Sequence, residues 1–323
     1  MEIDWLKSLA SSWAQQLDEG RLPHAVLLQG SRGVGKRSAA AWMARRYLAQ
    51  PAGELPVFPL QVPEHPDLRW IAIPEDRKSI GIDQIRELVA DIHLTSHAGA
   101  GKAAVVEPAD AMTVSAANSL LKTLEEPPGD ALLILIADRT VNLPATILSR
   151  CRRISVPLPS EAASIAWLNR LRPADNWSAA LAVAGQAPIA AVMLQDRLGE
   201  VDEMARDFAA LGERRAAPLE IAARWASREP EFVFGWLAQE VQTVVYTLCA
   251  GRARKVAGGT AESVLKRIDR RNLFCYLDII NRLRAQTPGS FNVQLALESL
   301  LIDWAEGLEN CADRVIATPL GLR

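Results

Sequence analysis

A chain of 323 residues, 49% hydrophobic and 23% charged, is long enough for two or three domains with buried cores. It carries none of the bias of a disordered, collagen-like or disulfide-scaffold protein. With 36 Lys and Arg against 38 Asp and Glu, the net charge of −2 excludes a global attraction to nucleic acid or anionic membrane and leaves only a local basic face open.

Along the chain, Trp5, Leu6, Leu9, Trp13 and Leu17 recur at helical spacing, so residues 4–18 read as an amphipathic helix. This N-terminus has no basic flank before a long apolar core, and no stretch approaches about 18 uncharged apolar residues. Neither a signal peptide nor a membrane span is expected, and the chain is expected in the cytoplasm. "AVLLQ" (25–29) reads as a buried strand, "GSRGVGK" (30–36) as a glycine loop, and "RSAAAWMARRYLA" (37–49) as a helix. Five prolines in 50–66 predict an irregular excursion. "LRWIAI" (68–73) is a strand, and Asp83 is placed to cap a helix carrying Ile85, Leu88, Val89 and Ile92. A turn at 97–102 leads to the strand "AAVVE" (103–107). The helix "SAANSLLKTLEE" (115–126) stops at Pro127 and Pro128, and "ALLILIA" (131–137) is a core strand. Strands separated by helices predict an α/β class with a mostly parallel sheet.

After about residue 157 strand signals vanish. Ser160 is placed to cap a helix over 158–171, and short helices at 176–185 and 187–195 flank Gly185. From about 203 onward, 233–251, 270–286 and 292–308 carry long apolar stripes. The expected division is an α/β domain over 1–157, a small helical domain over 158–202 and an all-α domain over 203–323.

Gly30, Gly35 and Lys36 fit a phosphate-binding loop, with Gly33 inside it, and the strand–loop–helix order is the context such a loop needs. In a working loop, backbone N–H groups at a helix N-terminus converge on the phosphates, the lysine lies over the terminal ones, and the next hydroxyl holds magnesium. Arg37 stands where that hydroxyl belongs and has no lone pair for a cation. Ser38 comes one residue late, about 100° further around the helix. The acidic strand end is altered too: Glu107 is followed by Pro108, which has no carboxylate to orient a water, and Asp110 is expected to point elsewhere. Two losses in one reaction predict a phosphate-loop domain that does not hydrolyse nucleotide, with weak ATP or ADP binding left open.

The remaining features have plainer readings. Cys151, Cys249, Cys275 and Cys311 show no CxxC spacing, so buried free thiols are expected and no zinc site is. Glu125 and Glu126 diverge by about 100° on a helix and read as a proline-stopped helix end, not a catalytic pair. His93 and His97 have i,i+4 spacing, but the helix runs out there, and His24 and His65 fall in loops or strand edges. Trp5, Trp13, Trp167, Trp236 and Trp304 fall on apolar stripes and read as core. "RARK" (252–255) and "KRIDRR" (266–271) read as solvated helix faces.

"NSLLKTLEEPP" (118–128) and "ILSRC" (147–151) resemble the clamp-loader branch of the AAA+ superfamily, close to bacterial DNA polymerase III clamp-loader subunits. "LPHAVLLQG" (22–30), "EHPDL" (64–68) and "NVQLALESLLIDW" (292–304) are similar to the same group, so the resemblance spans nearly the whole chain. It implies an AAA+-like α/β domain, a small helical lid and a C-terminal collar. Arg37, Pro108, the end at residue 323, and Pro188 where motor subunits offer an arginine favour the stator type over the ATP-hydrolysing motor. The resemblance implies that Arg150, between Ser149 and Cys151, reaches the nucleotide of a neighbouring subunit; a surface arginine, or one tied to a nearby carboxylate, is the alternative. It implies partners in a hetero-oligomeric ring, the tau/gamma ATPase and delta subunits, with the sliding clamp and primed DNA reached through the complex, inside a DNA polymerase III holoenzyme (a nucleotidyltransferase). No cofactor is required by that reading. Members commonly carry a four-cysteine zinc module where this chain has its cysteine-free stretch 50–66. An active motor subunit, and an AAA+-like adaptor outside replication, are the alternative functions.

Overall fold

A computed structural model describes residues 1–138, 140–173, 177–250, 264, 267–268, 270–286 and 291–309. The chain divides into two compact units, one made of Met1–Asp175 with Gln186–Val192, the other of Asn176–Gly185 with Met193–Arg323.

The first unit is built on five parallel strands: β1 (Ala25–Gln29), β2 (Leu68–Ala72), β3 (Lys102–Glu107), β4 (Ala131–Ala137) and β5 (Arg152–Ser155), in the order β2-β3-β4-β1-β5. Register is set where apolar runs meet: Leu27 lies opposite Leu135 on one side and Arg153 on the other. All seven residues of β4 are buried, as expected of a strand covered on both faces. Alternation sorts the two faces. Leu27, Ala104, Val106, Leu133 and Leu135 pack with Ile85, Leu88 and Ile92 of α3 (Ile82–Ile92) and Ala116, Leu120 and Leu124 of α4 (Val114–Glu125). On the opposite face lie α2 (Lys36–Tyr47) and, against it, α1 (Lys7–Asp18). Two further helices complete this part, α5 (Ala145–Leu148) and α6 (Glu161–Leu171).

Most sequence-predicted elements fall where the apolar periods put them. Ser160 caps α6 by accepting from the Ala163 N–H at 3.2 Å. Two details differ. The N-cap of α3 is Gly81, not Asp83; Asp83 sits in the first turn, while the Gln84 side chain accepts from the Gly81 N–H at 3.1 Å. The strand β5 carries no sequence signal, because three of its four residues are exposed and it pairs only with β1.

The segment 64–68 acquires a structural purpose. Asp67, 1% exposed, accepts from the His97 and Ala98 N–H groups (2.8 and 2.9 Å) and from the Ser96 hydroxyl (3.0 Å), with Lys102 at 3.4 Å. Burial alone would raise its pKa, but these bonds outweigh it and hold the carboxyl well below the usual carboxylate range. The acid pins the turn before β3 and so fixes where that strand starts.

The second unit is helical among its described residues: α7 (Trp177–Val183), α9 (Leu198–Gly212), α10 (Pro218–Ala226), α11 (Pro230–Ala250), α12 (Arg270–Ala285) and α13 (Val293–Ala305), while α8 (Pro188–Leu194) belongs to the first unit as far as Val192. The core gathers Phe208, Trp225, Trp236, Tyr276 and Trp304, with Phe208 stacked on Trp304 at 4.1 Å and Trp225 edge-on to Trp236 at 5.5 Å. The tryptophans of the apolar stripes do pack inward: Trp13, Trp167, Trp236 and Trp304 are buried, and Trp5 is partly so. The thiols do not all follow. Cys151 is buried, Cys275 is half-buried and Cys249 is exposed, because position 249 lies on the outer side of α11; Cys311 lies outside the described residues. "RARK" and two residues of "KRIDRR" (266 and 269) also lie outside them.

Candidate functional site

In a parallel sheet the strand C-termini share one edge, and ligand sites gather there. Here that edge brings together the loop after β1, Glu107 at the end of β3 and Asp138 just after β4.

The loop 30–35 has the backbone a phosphate loop needs. Gly30 and Gly33 have φ of +150° and +79°; a Cβ on Gly30 would meet the Val156 carbonyl at 2.7 Å. Gly33 is closed off from above. The Ile189 N–H donates to its carbonyl at 3.0 Å, and a Cβ on Gly33 would lie 2.5 Å from the Ala190 nitrogen. Pro188, which opens α8, is buried. The other flank is covered by the N-terminal turn, where Trp5 Nε1 donates to the Val34 carbonyl at 2.9 Å and Ile3 and Leu6 lie against Gly35.

The cations of the loop are spent internally. Lys36, 4% exposed, donates from Nζ to the carbonyls of Gly30 (2.7 Å) and Ser31 (2.8 Å) and pairs with Asp138 at 2.6 Å. Arg37 Nε lies 2.5 Å from Glu107 Oε1, and Trp70 Nε1 donates to the other carboxylate oxygen at 3.2 Å. Glu107 thus meets a guanidinium where the strand-end acid of a working site serves a divalent ion. Ser38 is buried in α2 and lines, with Trp42, Arg45, Leu55 and Leu60, a cleft of about 210 Å³ under the 50–61 segment. Asp110, expected from the sequence to point elsewhere, accepts from the N–H of Asp138, the residue that pairs with Lys36, at 3.4 Å. Magnesium does not fit this donor set: position 37 offers no oxygen, and Glu107 already has its cation.

Asp138 escaped sequence reasoning because it matters only once β4 lies beside β1. The single signal was its place directly after the buried run of β4.

The second cluster lies at the end of α4. Thr113 starts that helix by accepting from Ala116 N–H at 3.2 Å, and the chain leaves it at Glu126, before the two prolines. Glu125, the last helical residue, accepts a charge-assisted bond from Arg150 Nη2. Arg150 Nη1 donates to the Thr146 carbonyl (3.0 Å) and the Ser149 hydroxyl (3.3 Å), while its Nε is buried with no partner. The alternative of an arginine tied to a nearby carboxylate therefore describes this state of Arg150. Glu125, read from the sequence as a helix end alone, is its partner. Cys151 beside it is buried, its thiol pushed up to about 11 by that burial, which leaves it an inert packing group. Arg152 and Arg153 stand exposed on β5. His93 and His97 do not form a pair: the His93 ring bonds the Val89 carbonyl, and the backbone of His97 serves Asp67.

Residues 5–159 match the family model described as DNA polymerase III, delta subunit. The DNA polymerase III subunit delta′ of Pseudomonas aeruginosa is 32% identical over 93% of this chain and 96% of its own length. The subunit of the same name from Escherichia coli is 32% identical over 59% of this chain and 60% of its own. Among solved structures, a DNA polymerase III gamma subunit-related protein of Thermotoga maritima superposes with a TM-score of 0.50 at 19% identity, over 92% of this chain and 99% of that one, a likeness of fold.

Proposed function

The chain belongs to the DNA polymerase III delta-prime family, and from that premise we propose that it is the non-hydrolysing stator of a replicative clamp loader. In this role it joins ATPase subunits of the tau/gamma kind and a delta subunit in a ring that loads a sliding clamp at primed DNA. The C-terminal helices supply the collar contact, and Arg150 serves the nucleotide held next door.

The observation that carries the non-hydrolysing part is the Arg37–Glu107 pair. A working site needs a hydroxyl and a carboxylate to share a divalent ion; here a fixed side-chain cation neutralises the carboxylate, and no ion has to be recruited. The lysine that would lie over the terminal phosphates is held by Asp138 and two loop carbonyls.

The chemistry available to this chain is then delivered in trans. A guanidinium brought across an interface neutralises charge on the departing γ-phosphoryl group and is worth ~10³–10⁵ in rate at the site it serves. Two measurements test this. The purified chain is expected to show no ATP turnover; turnover that Lys36→Ala abolishes would overturn the stator reading. In a reconstituted complex, Arg150→Ala should leave assembly intact and lower DNA-stimulated ATP hydrolysis by the share of the one site it serves. An unchanged rate removes the finger role from Arg150.

A further inference from the structure

The half-exposed ion pair at the end of α4 goes beyond a structural tie. We propose that Glu125 is a positioning residue for Arg150, parking the guanidinium against the helix end until the γ-phosphate of a neighbouring subunit's nucleotide draws it out. The proposal rests on the reading of Arg150 as the donated finger.

The hydrogen-bond inventory of the guanidinium carries it. A phosphate is gripped best by two parallel N–H groups on one edge of the fork. On the Nη1–Nη2 edge, Nη2 is on Glu125 and Nη1 is on Thr146 O and Ser149 Oγ. On the Nε–Nη2 edge, Nε is buried. As folded neither edge presents a fork: Nη1 is taken by Thr146 and Ser149 and Nη2 by Glu125 on one edge, and Nε is buried on the other, while Glu125 supplies the only charge in this set and locally neutralises the guanidinium. The same inventory makes the parked state easy to leave. The buried Nε lacks an acceptor, and the side chains of Arg150 and Glu125 are 33% and 49% exposed, so water screens their attraction. A γ-phosphate carries more charge than a carboxylate and offers three acceptor oxygens, so it wins the guanidinium when it is brought within reach.

The position of Glu125 is equally specific. Pro127 and Pro128 end α4 at this residue, and the negative pole of the helix adds to the carboxylate. Glu126 follows where the chain has already left the helix, and Arg150 makes its carboxylate bond to Glu125. The other end of α4 begins seven residues after Glu107, so one 12-residue rod joins the self-neutralised loop to the parked arginine.

The test is steady-state ATP hydrolysis by the reconstituted complex, with and without clamp and primed DNA, over a range of ATP concentrations. The complexes carry this chain as wild type, Glu125→Gln, Glu125→Asp, Glu126→Gln or Arg150→Ala. Glu125→Gln should raise the DNA-free kcat several-fold with KM for ATP little changed, and shrink the stimulation by DNA by the same factor. Glu125→Asp should restore parking, and Glu126→Gln should behave as wild type. A fall in kcat with Glu125→Gln resembling that of Arg150→Ala, no change, or an equal effect of Glu126→Gln overturns the parking role. If Arg150→Ala itself changes nothing, the finger reading fails and the parking role falls with it. Assembly of each complex by size exclusion separates a folding defect from a kinetic one; if Glu125→Gln fails to assemble, Glu125→Ala takes its place, a raised DNA-free rate supporting parking and a fall or no change overturning it.

Discussion

Arginine at position 37 pairs with Glu107, and the lysine before it is paired within the fold as well. In a working phosphate loop the lysine is a ligand-binding group whose removal costs activity and little stability. Here Lys36 is 4% exposed and shared among a carboxylate and two carbonyls. Lys36→Ala leaves those acceptors facing one another without a donor, so the unfolding free energy of this unit should fall by about 3 kcal/mol, at the low end for a broken buried pair because Asp138 is 37% exposed. Urea unfolding followed by tryptophan fluorescence measures it, and a loss near zero would mean the lysine is idle. Arg37→Ala should cost about 1 kcal/mol or less, since that guanidinium is 58% exposed. The altered residues Arg37 and Pro108 were legible in the sequence because they break a motif of fixed spacing. Their compensating partners, Asp138 for Lys36 and Trp70 beside Arg37 on Glu107, were not, because they come from strands far apart in the chain.

Elements were legible in proportion to how completely they are buried. The strand β4 and its neighbour β1 fall on their apolar runs to the residue, since a central parallel strand tolerates only apolar side chains on both faces. The edge strand β5 was illegible for the converse reason, "RRIS" having one partly buried residue to betray it. Among the helices, α11 holds a conflict that its apolar stripe concealed. Glu240 is 8% exposed on it, and burial pushes its carboxyl up to about 7 from 4.5. A carboxyl raised in this way binds its proton more tightly folded than unfolded. It therefore favours folding below about pH 4.5 and loses that contribution as pH rises through about 7. The helical unit should weaken between about pH 5 and pH 8 by an amount on the order of 3 kcal/mol. Glu240→Gln should flatten that slope, leaving the variant the more stable of the two at pH 8, as read from urea midpoints at both pH values. Equal slopes would place the carboxyl in contact with water.

For the whole molecule, the family and the fold agree. Relatives named delta′ match most of the chain, and no single helix among the described residues is long and apolar enough to cross a membrane. Co-expressed with the tau/gamma-type and delta subunits of its own organism, the chain should elute with them as one species at fixed stoichiometry. Elution apart from both would leave the stator proposal without a ring to act in.

The sequence by itself determined the class of fold, the positions of the buried strands and the damage to the phosphate loop, because hydrophobic period and motif spacing are local properties. Only the tertiary structure decided that β1 lies between β4 and β5, that Arg37 pairs with Glu107, and that Arg150 rests on Glu125. Each of those joins residues 25 or more positions apart, and long-range pairings are chosen by how whole faces pack, which no short stretch of chain encodes.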